Sequence, residues 1–283
     1  MTNIKIDNKQ FYKRLWALSF PIALQSLMLA LVAACDALML GRVEQNEMTA
    51  VSLATQIQFV QNMFIAAVTG AGAILGAQYW GKGDKRTMED IYRLMLRLCG
   101  IVSLMFFAAC ELVPTALMCL FSHDPTIIET GAAYLRIAGW SYLLTGVSQC
   151  YLTMMKVTDR VKASAVISSC AVVLNILFNA VLIFGLFGAP EMNSRGAALA
   201  TTIARVIELI LCLVLTSGKD HIRPIWSKLF ESNKQLSCDF RRQCLPLMGS
   251  SLLWGGRFHF VYCYHGACWD RCCGCKFCSL GRA

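Results

Sequence analysis

Residues 262–278 read YCYHGACWDRCCGCKFC, six cysteines and one histidine in a run where C-x-x-C occurs twice. Thiolates and an imidazole at such spacing suit zinc ligation or redox exchange. A second set of chemically capable residues sits in apolar surroundings. Asp36 follows Cys35 inside a long hydrophobic block, and Asn175 and Asn179 interrupt VVLNILFNAVLIFG. An ionisable group at membrane depth costs roughly 2.5–3.5 kcal/mol on insertion scales, so Asp36 needs a reason. Either its carboxylate reaches the outer interface, or it faces a bundle interior as a protonatable or cation-binding group. Asn175 and Asn179, at i and i+4, share one helical face. Their amides either cross-link a neighbouring helix or, joined by a carboxylate and a hydroxyl, offer carbonyl oxygens to a small hard cation. Arg205 and Glu208, at i and i+3, read as a structural ion pair. Gln56, Gln58 and Gln61 either line a wet cavity or tie helices together. Glu111 and Arg136 fall where snorkelling explains them. The chain has no G-x-S-x-G, H-E-x-x-H or Walker A string, and His123 and His221 stand alone. These signatures carry the common hydrolase and nucleotide chemistries, so the expectation is a protein that is not an enzyme, with no catalytic residue, no cofactor and no resident metal.

The elements that must position these residues are membrane helices. The 283 residues are 57% hydrophobic and 15% charged, against about 25% charged in soluble domains. Apolar blocks of twenty or more residues match a hydrocarbon core of roughly 30 Å. Six spans are expected at 15–40, 51–80, 98–120, 132–155, 164–188 and 196–217, with a seventh beginning near Leu245. The fold class is therefore all-α and polytopic, and the location a cell membrane crossed several times, with lipid as a partner. Lys and Arg between the spans alternate from side to side, eighteen against two. The positive-inside rule then places the N-terminal segment 1–14 and the basic loop 218–243 in the cytoplasm. The net charge of +9 is a topology signal, which removes nucleic acid as a partner. Val32-Ala33-Ala34-Cys35 resembles a lipoprotein cleavage site, but the first apolar stretch is too long for a signal h-region and is interrupted by Pro21, Gln25 and Ser26. Pro21 is expected to kink or unwind the first helix. Nine of the fifteen cysteines are scattered singly through residues 1–244, as buried small hydrophobes are.

Four strings carry a family likeness: PIALQSLMLALVAACDALMLGRV (21–43), GAQYWGKGDKR (76–86), LNILFNAVLIFGLFG (174–188) and RGAALAT (195–201). In this order they resemble the multidrug and toxic compound extrusion (MATE) transporters. The resemblance implies a six-helix amino-terminal lobe (15–217), followed by an inter-lobe loop (218–243) and the start of helix 7 (244–256). The family as a whole is two-lobed, with twelve helices. It implies a secondary antiporter exporting drugs or cationic, amphipathic compounds in exchange for Na+ or H+. A lipid-linked precursor flippase of the same fold is a second possibility. By the same resemblance the ion-coupling site falls on Asp36, Asn175, Asn179 and Thr201, and the substrate pocket on Gln25, Tyr134 and Gln149. Some members carry an aspartate where this chain has Asn179, leaving one carboxylate fewer here and the coupling ion open.

The composition breaks after Gly256. Two-lobed transporters are internal repeats, so a second helix of the Pro21–Gly41 type is expected to follow Pro246. CLPLMGSSLLWGG begins one and RFHFVYCYHG ends it. Read one nucleotide out of frame, every Cys codon gives Val or Ala, and residues 257–278 permit GFTLYTVIMGHVGTDAVAANSVA. That is an apolar helix with Met-Gly in register with the first lobe. The expectation is that 257–283 is a frame-shifted tail, which leaves an inactive fragment that needs the missing carboxyl-terminal lobe. The other class of reading is a small membrane metal-binding or redox protein that uses the cysteines.

Overall fold

The computed structural model describes residues 12, 15–17, 19–20, 22–28, 30–31, 45–185, 192–216, 235–253 and 255. Asp36, Pro21, most of segment 1–14, part of the basic connection (217–234) and the cysteine-rich tail lie outside the described residues. The described elements are helices. We number them α1 (Leu15–Met28), α2 (Gln45–Gly81), α3 (Lys85–Leu112), α4 (Pro114–Cys119), α5 (Pro125–Val157), α6 (Val161–Phe184), α7 (Asn193–Leu215) and α8 (235–253).

Helix ends follow caps, which is why the helices overshoot the apolar blocks. Asp84 accepts from the Thr87 amide at 3.1 Å and starts α3 well before the apolar run at 98. The tight α2–α3 turn requires Gly83 at φ 75°, a left-handed conformation open to glycine. Asp124 caps α5 through the Thr126 amide at 2.9 Å, with Pro125 in the first turn. Proline is accommodated there because that N–H has no intrahelical partner. Gly185, at φ 65°, closes α6 three residues before the expected span end at 188. The expected span 98–120 is not one rod. Val113 leaves helical geometry, and Pro114 begins the separate short helix α4. Residues 235–243, expected in the basic loop, are already helical.

Among the described residues four helices are long and apolar enough to cross a membrane, namely α2, α3, α6 and α7. The more polar α5 is the central helix, packed against α2, α3, α4, α6 and α7. A helix packed against so many neighbours is free to use small and polar residues on its buried sides. The buried Gly131, Ser141, Thr145, Gly146 and Ser148 on α5 are of that kind.

Two apolar clusters fill the bundle. One gathers Val51, Ala54, Cys110, Met118, Tyr134, Tyr142, Ile183 and Ala197. The other gathers Ile91, Tyr92, Met95, Cys99, Cys150, Tyr151, Cys212 and Phe240. Along each helix polar residues fall between the two. Gln61 on α2 donates to the Tyr142 carbonyl at 2.8 Å and to Ser103 Oγ on α3 at 3.3 Å. A Cβ on Gly146 would stand 2.0 Å from Ser103 Oγ, so the missing side chain is what lets α3 and α5 close over this bond. Gln61 thus ties three helices. At the turns on one end of the bundle, Trp80 Nε1 donates to Asp159 Oδ2 at 3.1 Å and links the end of α2 to the α5–α6 turn.

Candidate cation and substrate site

The site is built where α6 and α7 run antiparallel at close range. A Cβ on Gly196 would lie 2.6 Å from the Leu182 carbonyl oxygen, so this approach exists only with glycine at 196. Ala197, Ala198, Ala200 and Ala204 continue a buried small-residue surface along α7. Small residues let helix backbones approach in a membrane, where packing rather than water exclusion holds helices together. From the Leu182–Gly196 contact, seven residues back along α6 is Asn175, and five forward along α7 is Thr201. The two meet in register.

Asn175 Nδ2 donates to Thr201 Oγ1 at 3.2 Å. Thr201 Oγ1 donates in turn to the Ala197 carbonyl at 3.0 Å. Asn179 Nδ2 donates to Asn175 Oδ1 at 3.4 Å. The result is one directed chain, Asn179 to Asn175 to Thr201 to the backbone. Asn175 is 7% exposed and Asn179 1%, so this chain is inside the lobe. It groups neutral amide and hydroxyl oxygens at mid-depth, the hard donors that suit Na+ or a proton-bearing group, with no charge of their own.

Gln25 joins the same face of α6. Its Nε2 donates to Ser168 Oγ at 2.7 Å across helices 143 positions apart. Ser168, Asn175 and Asn179 stand at i, i+7 and i+11, a single stripe at 3.6 residues per turn. Sequence reasoning missed Ser168, although its position seven residues before Asn175 was the available signal. Tyr134 is buried in the cluster with Ile183, Ala197 and Ala198, next to the α6–α7 contact. One turn along α5, the Ile137 carbonyl accepts from Thr202 Oγ1 of α7 at 3.2 Å. Gln149 is half-buried on the same helix. Fifteen residues separate it from Tyr134, about 22 Å of helix. Asn175, Asn179 and Thr201 therefore come together, Gln25 shares their stripe, and Tyr134 and Gln149 lie at separate depths of one column. Asp36 lies outside the described residues.

Elsewhere, Arg205 Nη1 meets Glu208 Oε2 at 2.5 Å, with Glu208 1% exposed, an ion pair within α7. A recess of about 400 Å³ opens among the first turns of α2, α5 and α7, lined by Glu47, Glu129, Thr130, Asn193 and Arg195. It is distinct from the asparagine stripe.

The MatE family profile matches residues 21–181, more than half of the chain. The chain belongs to the MATE family. It is 24% identical over 239 residues to an uncharacterised transporter, YisQ, of Bacillus subtilis, covering 84% of this chain and 52% of that protein. It is 26% identical over 220 residues to a probable multidrug resistance protein, NorM, of Bradyrhizobium diazoefficiens, covering 78% and 45%. The Vibrio cholerae MATE transporter VcmN in its bent form superposes with a TM-score of 0.79 at 18% identity, over 90% of this chain and 57% of that one. A MOP superfamily transporter from Pyrococcus furiosus superposes with a TM-score of 0.73 at 18% identity, over 83% and 51%. The chain spans about half the length of the curated relatives it matches. Its fold is the six-helix amino-terminal lobe of a MATE transporter with the beginning of helix 7, an integral membrane architecture.

Proposed function

We propose that this chain supplies the amino-terminal lobe of a secondary antiporter exporting drugs or cationic, amphipathic compounds in exchange for Na+ or H+. The observation that carries the reading is the buried Asn179–Asn175–Thr201 chain at the α6–α7 contact, in a chain of the MATE family. In this reading Asp36 brings the negative charge that these neutral oxygens lack. It either ligates Na+ with them or takes up a proton beside them. Gln25, Tyr134 and Gln149 line the substrate path, at the different depths their helices give them. Relatives described as multidrug resistance proteins make drugs the first substrate class to try.

Alternating access needs one lobe to rock against another around a shared site, so export requires a second lobe. We take residues 257–283 as that lobe's opening read out of frame, and the N-terminus and the basic connection as cytoplasmic. The test is to delete or insert one base near codon 256 and express both versions in a drug-sensitised cell. The frame-restored gene is expected to encode a longer chain that raises drug resistance, while the unrepaired one does not. Export by the unrepaired chain, or a stop codon soon after the restored frame begins, would overturn the reading.

A further inference from the structure

The α7 stripe that holds Thr201 carries charge farther along the helix. Thr201, Arg205, Glu208 and Cys212 stand at i, i+4, i+7 and i+11, on one face. Glu208 is 1% exposed and Cys212 is fully buried. The register that sets Asn175 against Thr201 also sets Ser168, seven residues back on α6, against Glu208, seven forward on α7. Lys156, half-buried in the last turn of α5, lies in the field of the same carboxylate. Among the described residues, Glu208 is thus faced by Arg205 and Cys212 on its own helix, Lys156 on α5 and Ser168 on α6. A buried ion pair adds little stability over apolar residues of similar volume, so stability alone gives no reason for this one.

We propose that Arg205 is a tethered cation with two positions: held by Glu208 away from the Asn175–Thr201 site, or released toward it, where its charge opposes the coupling cation. This rests on the antiport reading above, for which it names a residue that sets ion affinity. Side chains on a helix lean toward its N-terminus, and Thr201 lies one turn to that side of Arg205, about 6 Å along the axis. Yet the guanidinium is drawn the other way, with Nη1 2.5 Å from Glu208 Oε2. A hydroxyl oxygen has two lone pairs. Asn175 uses one of those on Thr201, and a released guanidinium would donate to the other. Release does not leave Glu208 without a countercharge, because Lys156 remains in its field. A small cation at the oxygen chain and a guanidinium beside it repel, so the two exclude each other. Arg205 acts on the ion through charge, without ligating it.

The first experiment reads the arginine without any ion. The full chain, in lipid vesicles free of Na+, carries isotope labels on its arginine guanidinium nitrogens and threonine methyl carbons. Solid-state magnetic resonance then measures contacts between the two. Glu208→Gln is expected to bring up a guanidinium–methyl contact that is weaker or absent in the unsubstituted chain. Adding Thr201→Ser, which keeps the hydroxyl and lacks the methyl, should remove it. No new contact, or one that survives Thr201→Ser, would overturn the proposal. The second experiment measures Na+ binding to the full chain in detergent, with choline replacing Na+ at constant ionic strength. Glu208→Gln should weaken binding about tenfold, and Arg205→Gln, which leaves Glu208 to Lys156, should tighten it. The double variant should return close to the unsubstituted chain. A merely structural pair would weaken binding in both single variants, and that result would overturn the proposal. Arg205→Gln decides the sign by itself where Glu208→Gln fails to fold. An unsubstituted chain that binds no Na+ would remove Na+ from the antiport reading, while the magnetic resonance contact still decides the position of Arg205.

Discussion

At the scale of single residues, Asn175 is the node of the site, since it donates to Thr201 and accepts from Asn179. Interhelical hydrogen bonds in membranes average about 0.6 kcal/mol each. Asn175→Ala removes one interhelical bond, to Thr201, together with the bond from Asn179 within α6. It should lower the lobe's resistance to unfolding by roughly 1 kcal/mol, more than Asn179→Ala, which removes only the latter, or Thr201→Ala, which leaves the Asn179–Asn175 bond in place. Denaturant titration in detergent, followed by circular dichroism, measures this. Equal midpoints for the three variants would contradict the node. Thr201→Ser should behave as wild type, because the hydroxyl is what Asn175 donates to. The sequence made Asn175 and Asn179 legible as a face, since four-residue spacing on an apolar helix is visible without coordinates. Ser168 was legible only as a position on that face, because a serine in a membrane helix ordinarily bonds to its own backbone. Only the structure brings Gln25 to it.

At the scale of elements, the α6–α7 contact depends on Gly196. Gly196→Ala would force the helices apart at the Leu182 carbonyl, with a cost of about 1–3 kcal/mol typical of overpacking. Asn175 and Thr201 would then be drawn out of reach of each other. The same unfolding titration should place Gly196→Ala below Asn175→Ala, and a neutral result would mean that the approach is looser than described. The α2–α3 turn adds a pH dependence outside the membrane. Hydrogen bonds from Thr87, its hydroxyl first and then its amide, hold the Asp84 carboxyl below its usual value of 3.8. A group whose folded pKa is depressed contributes its full stability above the unfolded value and loses it as pH falls through the folded one. The cap should therefore hold at neutral pH and release only in acid below about pH 4. Asp84→Ala should abolish that acid step in hydrogen exchange of residues 84–88, and an unchanged step would assign it elsewhere. Hydropathy placed the helices but could not place their ends, which the caps at Asp84, Asp124 and Gly185 decide. It also could not show the break at Val113, because the apolar run continues across it.

At the scale of the whole molecule, two apolar clusters enclose a mid-depth polar layer in which Gln61 ties three helices and Asn175 ties two. The eighteen-to-two distribution of Lys and Arg predicts a cytoplasmic connection before α8. A cysteine introduced at position 226 should be labelled by an impermeant maleimide only after the membrane is opened. Labelling in intact cells would reverse the topology. The central claim, that ion coupling resides on Asp36 with the Asn175 stripe, is met most directly by transport in vesicles. Ion-gradient-driven efflux would be measured for the frame-restored protein and for its Asp36→Asn variant, with equal insertion checked by immunoblot. Efflux should be lost with Asp36→Asn and only weakened with Asn179→Ala, which removes a neutral oxygen and no charge. Efflux by Asp36→Asn at the wild-type rate, across both Na+ and pH gradients, would contradict the account.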